Sequence, residues 1–383
     1  MRAGVACIRY TPFRIRLDNV TSIRLAEKNA IVLFIDPDNG AGGSRESGSG
    51  WWYEGGGLYR HVNLVKANKL HVAEDGLFAF STNFTHSDVG LAAWNNGAPR
   101  RMTADSAVLH TSVEVFNDNL MSSNFTATFT LYDNNGAAVG VATSASITAP
   151  AGQSAVATAS ILVSDVKLWN SAQPTMYTVA VDVRSGGGIV DGLNVTTGFR
   201  SLHYDSTNGF ALNGEHFKVR GFCDHTNFAV VGMAIPPRIN LFRAQASRAV
   251  GGNGRRTSHN PPDPRLLDIY DRVGIVVMDE NRLFDNVTAY VNNMGSLVKR
   301  DRNHPAVIIW SFCNEDGCEG SHEVGGPRFK EISYHFDGTR PVLANMFTYN
   351  DLLSNTIDVQ VARALTQLSR ALVISSWSSL RCG

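Results

Sequence analysis

A multidomain β plus α/β chain, two β-sandwiches followed by an incomplete (β/α)8 TIM barrel, is the fold class that three observations predict. The chain has 383 residues, too long for one core at about 100–200 residues per domain. Up to about Phe199, short runs alternate apolar and polar residues and are broken by Gly, Asn and Asp clusters, as half-buried antiparallel strands are. After Tyr204 the alternation gives way to unbroken apolar runs interleaved with helical patterns. Parallel strands buried on both faces read that way.

The first unit, residues 1–103, contains "FRIRLDNV", "AIVLFIDPDNG" and "GLYRHVNLVKANKLHVAEDG", in which turn formers separate period-two runs. It also holds Trp51, Trp52 and Tyr53 beside a glycine run; these rings suit stacking on the apolar C–H faces of a sugar, and buried core packing explains them as well. The second unit, 104–202, repeats the pattern in "AVLHTSVEVFN", "FTATFTLYDNNG", "GQSAVATASILV" and "MYTVAVDVRSGGG". That density of strands and turns predicts an immunoglobulin-like sandwich.

The third unit, 203–383, carries six strand-like runs, "FKVRGFCDH", "GGNGRRTSH", "GIVVMDEN", "AVIIWSFCNE", "PVLANM" and "TIDVQV". Between the second and third, "DPRLLDIYDRVG" predicts a helix with an apolar face of Leu266, Leu267, Ile269 and Tyr270 and a stop at Gly274. His225, His259, Glu280 and Glu315 each end a run, and the carboxyl ends of strands are where barrels place their chemistry. "GGNGRR" neither matches G-x-G-x-x-G nor precedes a helix, which removes a dinucleotide site and favours the barrel over a doubly wound sheet.

Composition narrows the function. Lys+Arg 34 against Asp+Glu 34 gives no net charge, so nothing steers the chain toward nucleic acid or an anionic membrane, and a neutral partner fits better. The first residues lack the long apolar core of a signal peptide and no run reaches transmembrane length, while five N-x-[ST] sequons, at Asn19, Asn83, Asn124, Asn194 and Asn286, permit export. Five scattered cysteines argue against a disulfide framework. Cys313 and Cys318 flank Glu315 without a second pair to complete a zinc set, and read as small core residues.

A carboxylate that ends a buried strand is partly desolvated, which raises its pKa and suits a general acid. Glu315 fits that role, or else forms a structural ion pair with Arg300 or Arg302. His225 and His259 are placed to hydrogen-bond a substrate hydroxyl or to serve as core histidines. Arg256, three residues before His259, is placed to orient a carboxylate. Asp279 and Glu280 read as a hydrogen-bonded pair that fixes loops, since no neighbouring His completes a metal site.

Taken together, "RDRNHPAVIIWSFCNEDG", "RRTSHNP", "GIVVMDEN" and "GGGLYRHVNL" resemble the motifs of glycoside hydrolase family 2, the β-galactosidase, β-mannosidase and β-glucuronidase group. The resemblance runs to about Gln360. It implies a sugar-binding jelly roll, an immunoglobulin-like domain and a catalytic TIM barrel in that order, with a β-glycoside as substrate and no cofactor. It also implies that Glu315 is the general acid/base, that Asn314 holds a sugar hydroxyl near the reacting carbon, and that Arg256, His259 and, more loosely, His225 bind substrate. The magnesium-using branch has a Glu and a His shortly after its "DE"; "DENRLFDN" has neither, so no such metal is expected. The jelly roll is expected to lack its first strands.

Retaining chemistry needs a second carboxylate about 5–5.5 Å from the first, which the family carries at the end of strand seven. The tail "ARALTQLSRALVISSWSSLRCG" holds no acidic residue, and its divergence from 362 onward leaves the nucleophile absent. Asp337, Asp351 and Asp358 stand in no matching motif. The expectation is a family 2 lineage hydrolysing O-glycosyl bonds whose activity is impaired in this chain; the alternatives are a non-catalytic carbohydrate-binding or interaction protein, or an inactive gene fragment.

Overall fold

A computed structural model describes residues 10–17, 20, 23–24, 26–34, 57–86, 102–314, 318, 322–346 and 358–362. Trp51, Trp52, Tyr53, Glu315, Asp351 and the tail from 363 lie outside the described residues.

Two antiparallel sheets form the sandwich. One has the order β1 (Leu70–Thr85), β2 (Thr103–Asn117), β6 (Ser154–Lys167); the other β4 (Ala138–Thr143), β3 (Ser123–Tyr132), β7 (Tyr177–Ser185), β8 (Gly188–Thr197), with β5 (Ile147–Ala149) paired to β3. The period-two pattern does what it predicts: Leu109, Val113 and Val115 of β2 face Phe129 and Leu131 of β3 and Val179, Val181 and Val183 of β7 in one buried core. Gly186 and Gly187, at φ 59° and 86°, make the two-residue turn between β7 and β8, a conformation that residues with a Cβ disfavour.

Strand β1, assigned by the sequence reading to the first unit, pairs with β2 from Leu70↔Asn117 to Thr85↔Ser106 and adds Leu70, Leu77 and Ala79 to the sandwich core. Alternation specifies which face of a strand is buried, not which sheet receives it. The described residues before Leu70 include no strand. They lie against the other units, Arg16 donating to both oxygens of Asp118 at 3.0 Å and Arg60 reaching Pro261.

A short antiparallel sheet, β9 (Leu202–Asp205), β10 (Gly209–Leu212) and β11 (Glu215–His216), leads into the last unit. There β12 (Gly221–Cys223), β13 (Gly254–Arg256), β14 (Val276–Glu280), β15 (Val307–Asn314), β16 (Val342–Met346) and β17 (Val359–Ala362) form one parallel sheet. These are the six runs read from the sequence. Their spatial order equals their chain order, as in a singly wound barrel; a doubly wound sheet reverses direction at a switch point.

Helices α1 (Pro237–Ala249), α2 (Pro264–Val273), α3 (Thr288–Asp301) and α4 (His322–Phe336) fill the first four crossovers. In α2, Asp263 caps the start by accepting from the Arg265 amide at 3.0 Å, and Pro264 sits in the first turn, where its missing N–H costs nothing. Leu267 and Tyr270 are fully buried, and Leu266 and Ile269 pack beside them. Gly274 ends the helix at φ 75°, and a Cβ there would lie 2.6 Å from the Ser171 carbonyl oxygen of the sandwich. Gly274→Ala is therefore expected to destabilise the chain by about 1–3 kcal/mol through backbone strain and forced separation of the two units, measured by chemical denaturation.

The loop before β15 anchors the barrel to the sandwich. Arg200 donates to the Val307 carbonyl at 2.7 Å, Trp169 Nε1 to the Asp271 carbonyl at 2.8 Å, and Asn303 exchanges hydrogen bonds with the backbone of Leu77 and Ala79 at 2.8 and 3.0 Å. All of these lie toward the amino ends of the strands, which leaves the carboxyl ends for a site.

Candidate active site

Polar side chains collect at the carboxyl ends of β13, β14 and β15. Arg256 is the last residue of β13 and Glu280 the last of β14. Arg256 grips Glu280 with two hydrogen bonds, Nε to Oε2 at 2.9 Å and a terminal nitrogen to Oε1 at 3.0 Å, the planar fork geometry that suits a carboxylate. Glu280 is fully buried. Its Oε2 also accepts from Ser311 Oγ at 2.8 Å, and its Oε1 lies 2.6 Å from His259 Nδ1. A carboxylate can only accept, so the hydrogen in this contact is carried by His259 Nδ1 and donated to Glu280. Burial pushes the Glu280 pKa up, but the Arg256 charge and the His259 and Ser311 hydrogen bonds outweigh it and hold the group ionised, below its ordinary range.

Asn314 joins this cluster because β15 bulges. Between Ser311↔Leu343 and Asn314↔Asn345 the register advances three residues on β15 for two on β16. Strict alternation would put Asn314 on the face opposite Ser311; the extra residue brings it to the same one. There its Oδ1 accepts from Arg256 at 2.5 Å. His225, after β12, stands edge-on to His259 with ring centroids 5.5 Å apart. Burial and the neighbouring His259 push its pKa down, so it is neutral and able both to donate and to accept. Beside it, a cavity of about 20 Å³ lined by Tyr59, Asp224 and Asn240 has room for about one water and none for a sugar ring.

The structure thus brings together Arg256, His259, Asn314 and His225, four of the five residues expected at the site. Glu315, the fifth, follows Asn314 in the chain and lies outside the described residues. Its expected alternative partners are committed elsewhere: Arg300 forks onto Asp301 at 2.7 and 2.5 Å, and Arg302 donates to the carbonyls of Phe336 and Asp75 at 2.9 and 2.8 Å. Cys313 and Cys318 are both buried and joined by a disulfide, which corrects their reading as separate core residues. Their Cα atoms lie 5.4 Å apart, and the ring so closed contains the position of Glu315 in the sequence.

Asp279 and Glu280 are adjacent and behave oppositely, because alternation sends them to opposite faces of β14. Asp279 accepts from Thr257 Oγ1 at 3.3 Å and is fully buried. Burial and the neighbouring Asp301 carboxylate raise its pKa well above the ordinary value, against the pull of Arg300. The two acids are not a mutual pair, as the sequence reading had them; each is fixed by other strands and helices. Between the unfolded pKa of about 3.9 and the raised folded value, only the unfolded chain releases this proton, so Asp279 costs stability as pH rises. Asp279→Asn is expected to raise the neutral-pH melting temperature by about 2–4 °C, corresponding to about 1 kcal/mol, and to leave it unchanged near pH 3.5; melting curves across pH check both.

One group of potential metal ligands lies together among the described residues, Asp268, Asp271 and His304. It sits at the amino end of β15, away from the cluster above, and both Asp271 oxygens are taken, by His304 Nδ1 at 2.6 Å and the Ala306 amide at 2.9 Å.

Comparison with known proteins gives the same architecture. Residues 99–200 match Glycosyl hydrolases family 2, and residues 206–288 and 284–371 match the family's TIM barrel domain. A β-galactosidase of Bacteroides ovatus, BoGH2A, is 31% identical over 301 residues, covering 76% of this chain and 32% of the relative. A β-glucuronidase of Formosa agariphila is 25% identical over 316 residues, 78% of this chain and 30% of the relative. Among solved structures, a family 2 member from Bacteroides cellulosilyticus superposes with a TM-score of 0.72 at 27% identity, covering 83% of this chain and 42% of that one. The chain spans about a third of the length of the curated relatives it matches.

Proposed function

The chain belongs to glycosyl hydrolase family 2, and from that premise we propose that it binds the terminal sugar of a β-glycoside at the carboxyl ends of β13 to β15 and presents Glu315 as acid/base to the glycosidic oxygen. The observation that carries this reading is the convergence of Arg256, His259 and Asn314 around the buried Glu280 carboxylate. Such a network has its rotamers locked before any ligand arrives, so the donors and acceptors it turns outward cost little ordering on binding. Relatives named β-galactosidase and β-glucuronidase support a β-galactoside or a β-glucuronide as ligand.

Recognition rather than turnover is the role we assign to this chain. A retaining site needs a second carboxylate close to the acid/base. Among the described residues, the carboxylate within the cluster is Glu280, and its oxygens are already taken by Arg256, His259 and Ser311. Asp337 and Asp358 precede β16 and β17, at the amino ends of those strands. Asp337 accepts from Trp310 at 3.0 Å and Arg340 at 2.5 Å, and Asp358 from Tyr334 at 2.5 Å and the Val342 amide at 2.9 Å. They support a structural assignment for both acids. Calorimetric titration of the 383-residue chain with methyl β-galactoside and methyl β-glucuronide tests the reading. One of the two is expected to bind, and Asn314→Ala to weaken it about tenfold, the cost of one hydrogen bond of about 1.4 kcal/mol. Binding unaffected by either Asn314→Ala or His259→Ala would place the ligand elsewhere.

A further inference from the structure

The loop from Thr257 to Asp263 carries His259 and is pinned at nearly every residue. The Thr257 amide donates to the Met278 carbonyl at 3.1 Å, the Asn260 amide to the Thr257 carbonyl at 2.9 Å, and Thr226 Oγ1 to Asn260 Oδ1 at 2.7 Å. Two arginines hold the next two carbonyls. Arg300, at the end of α3, donates to the Pro262 carbonyl at 3.0 Å, and Arg60 donates to that of Pro261 at 2.7 Å. Arg60 is 201 positions away in the chain, and its other terminal nitrogen donates to the Tyr10 carbonyl at 2.6 Å. Pro261 and Pro262 have no amide hydrogen, so this stretch can be tied down only through its carbonyl oxygens.

We propose that Arg60 is a positioning residue for the sugar site: by bridging the Tyr10 and Pro261 carbonyls it holds the His259 loop at the height where the His259 ring meets Glu280. The residues before Leu70 are then part of the apparatus that aligns the barrel site, and not only an attached module. Its consequence for affinity rests on the glycoside-binding reading above; its consequence for the His259 ring does not. A displacement of about 1 Å in a positioning element can cost about a hundredfold in a site that works by alignment.

The test uses the full chain labelled with 15N-histidine, the His259 ring signals being assigned with His259→Gln. The Nδ1 proton bonded to the Glu280 carboxylate gives a downfield resonance that reports this contact directly. Arg60→Gln is expected to shift or broaden that resonance and to weaken binding of whichever methyl β-glycoside binds the parent about tenfold or more. Arg60→Lys, which keeps the charge and can reach one carbonyl at a time, is expected to recover part of both. Arg16→Gln loosens the same N-terminal segment from Asp118 without touching the His259 loop, and is expected to leave the resonance in place. An unchanged His259 resonance in folded Arg60→Gln overturns the proposal, as does an equal shift in Arg16→Gln. If Arg60→Gln does not fold, Arg60→Met, which keeps the length of the side chain without a donor, takes its place, and an unchanged His259 resonance there overturns the proposal too. A ring that responds to Arg60→Gln in a chain that binds neither glycoside upholds the positioning role and removes the glycoside reading.

Discussion

Replacing Glu280 with alanine is expected to abolish glycoside binding and to cost the chain about 3–5 kcal/mol, the penalty for leaving one member of a buried ion pair uncompensated. The charge left behind is Arg256, itself buried, whose remaining contacts include the Asn314 oxygen and the His259 nitrogen at 3.2 Å. Ser311 and His259 lose their acceptor as well. Glu280→Gln retains the shape and one acceptor but brings an NH2 group toward Arg256, so an intermediate loss of about 2 kcal/mol is expected. Because the folded pKa of Glu280 is depressed, its contribution is fully present above the unfolded value of about 4.3 and is lost as pH falls through the folded value. Chemical denaturation of the three proteins at pH 7 and pH 3 checks the magnitude and the direction. An alanine variant within about 0.5 kcal/mol of the parent at pH 7, the scatter of an ordinary surface substitution, would show that the cluster is not held by its central carboxylate.

Hydrolysis by the 383-residue chain is expected to fall well short of enzyme rates. A positioned general acid contributes about 10²–10⁴-fold, whereas enzymes reach about 10⁶-fold or more; the difference is supplied in retaining glycosidases by the covalent step of the second carboxylate. Turnover of aryl β-galactosides and β-glucuronides checks this, with Glu315→Gln as the comparison. Robust activity abolished by Glu315→Gln would mean that a nucleophile exists in this chain.

The parts of this architecture that were legible in the sequence are those set by local pattern. Strands β14 and β15 stand out because both faces of each are covered, giving runs such as "AVIIW" that need no alternation. The α2 boundaries follow from Asp263, Pro264 and Gly274, whose capping roles depend on their immediate neighbours. What was not legible depends on partners distant in the chain. Glu280 is assigned its role by Arg256 on one side and Ser311 on the other, and only the neighbouring strands determine that. Asn314 reaches the cluster through a bulge that no residue in "SFCNEDG" signals. Arg60 lies in "GGGLYRHVNL", a string that resembles a family motif, and its contact with Pro261 is invisible until the units are docked. The Cys313–Cys318 bond is not legible because the count and scatter of five cysteines say nothing of one pair whose Cα atoms the fold brings to 5.4 Å.

Mechanism-based trapping tests the central claim most directly. 2-Deoxy-2-fluoro-β-galactosyl and β-glucuronyl fluorides react with a retaining nucleophile to leave a stable glycosyl ester, which intact-mass spectrometry detects as one added sugar unit. On the reading proposed above, recognition and an acid/base without a nucleophile, the chain is expected to bind the matching sugar and keep its unmodified mass after prolonged incubation. A stoichiometric adduct on any Asp or Glu of this chain would contradict that account.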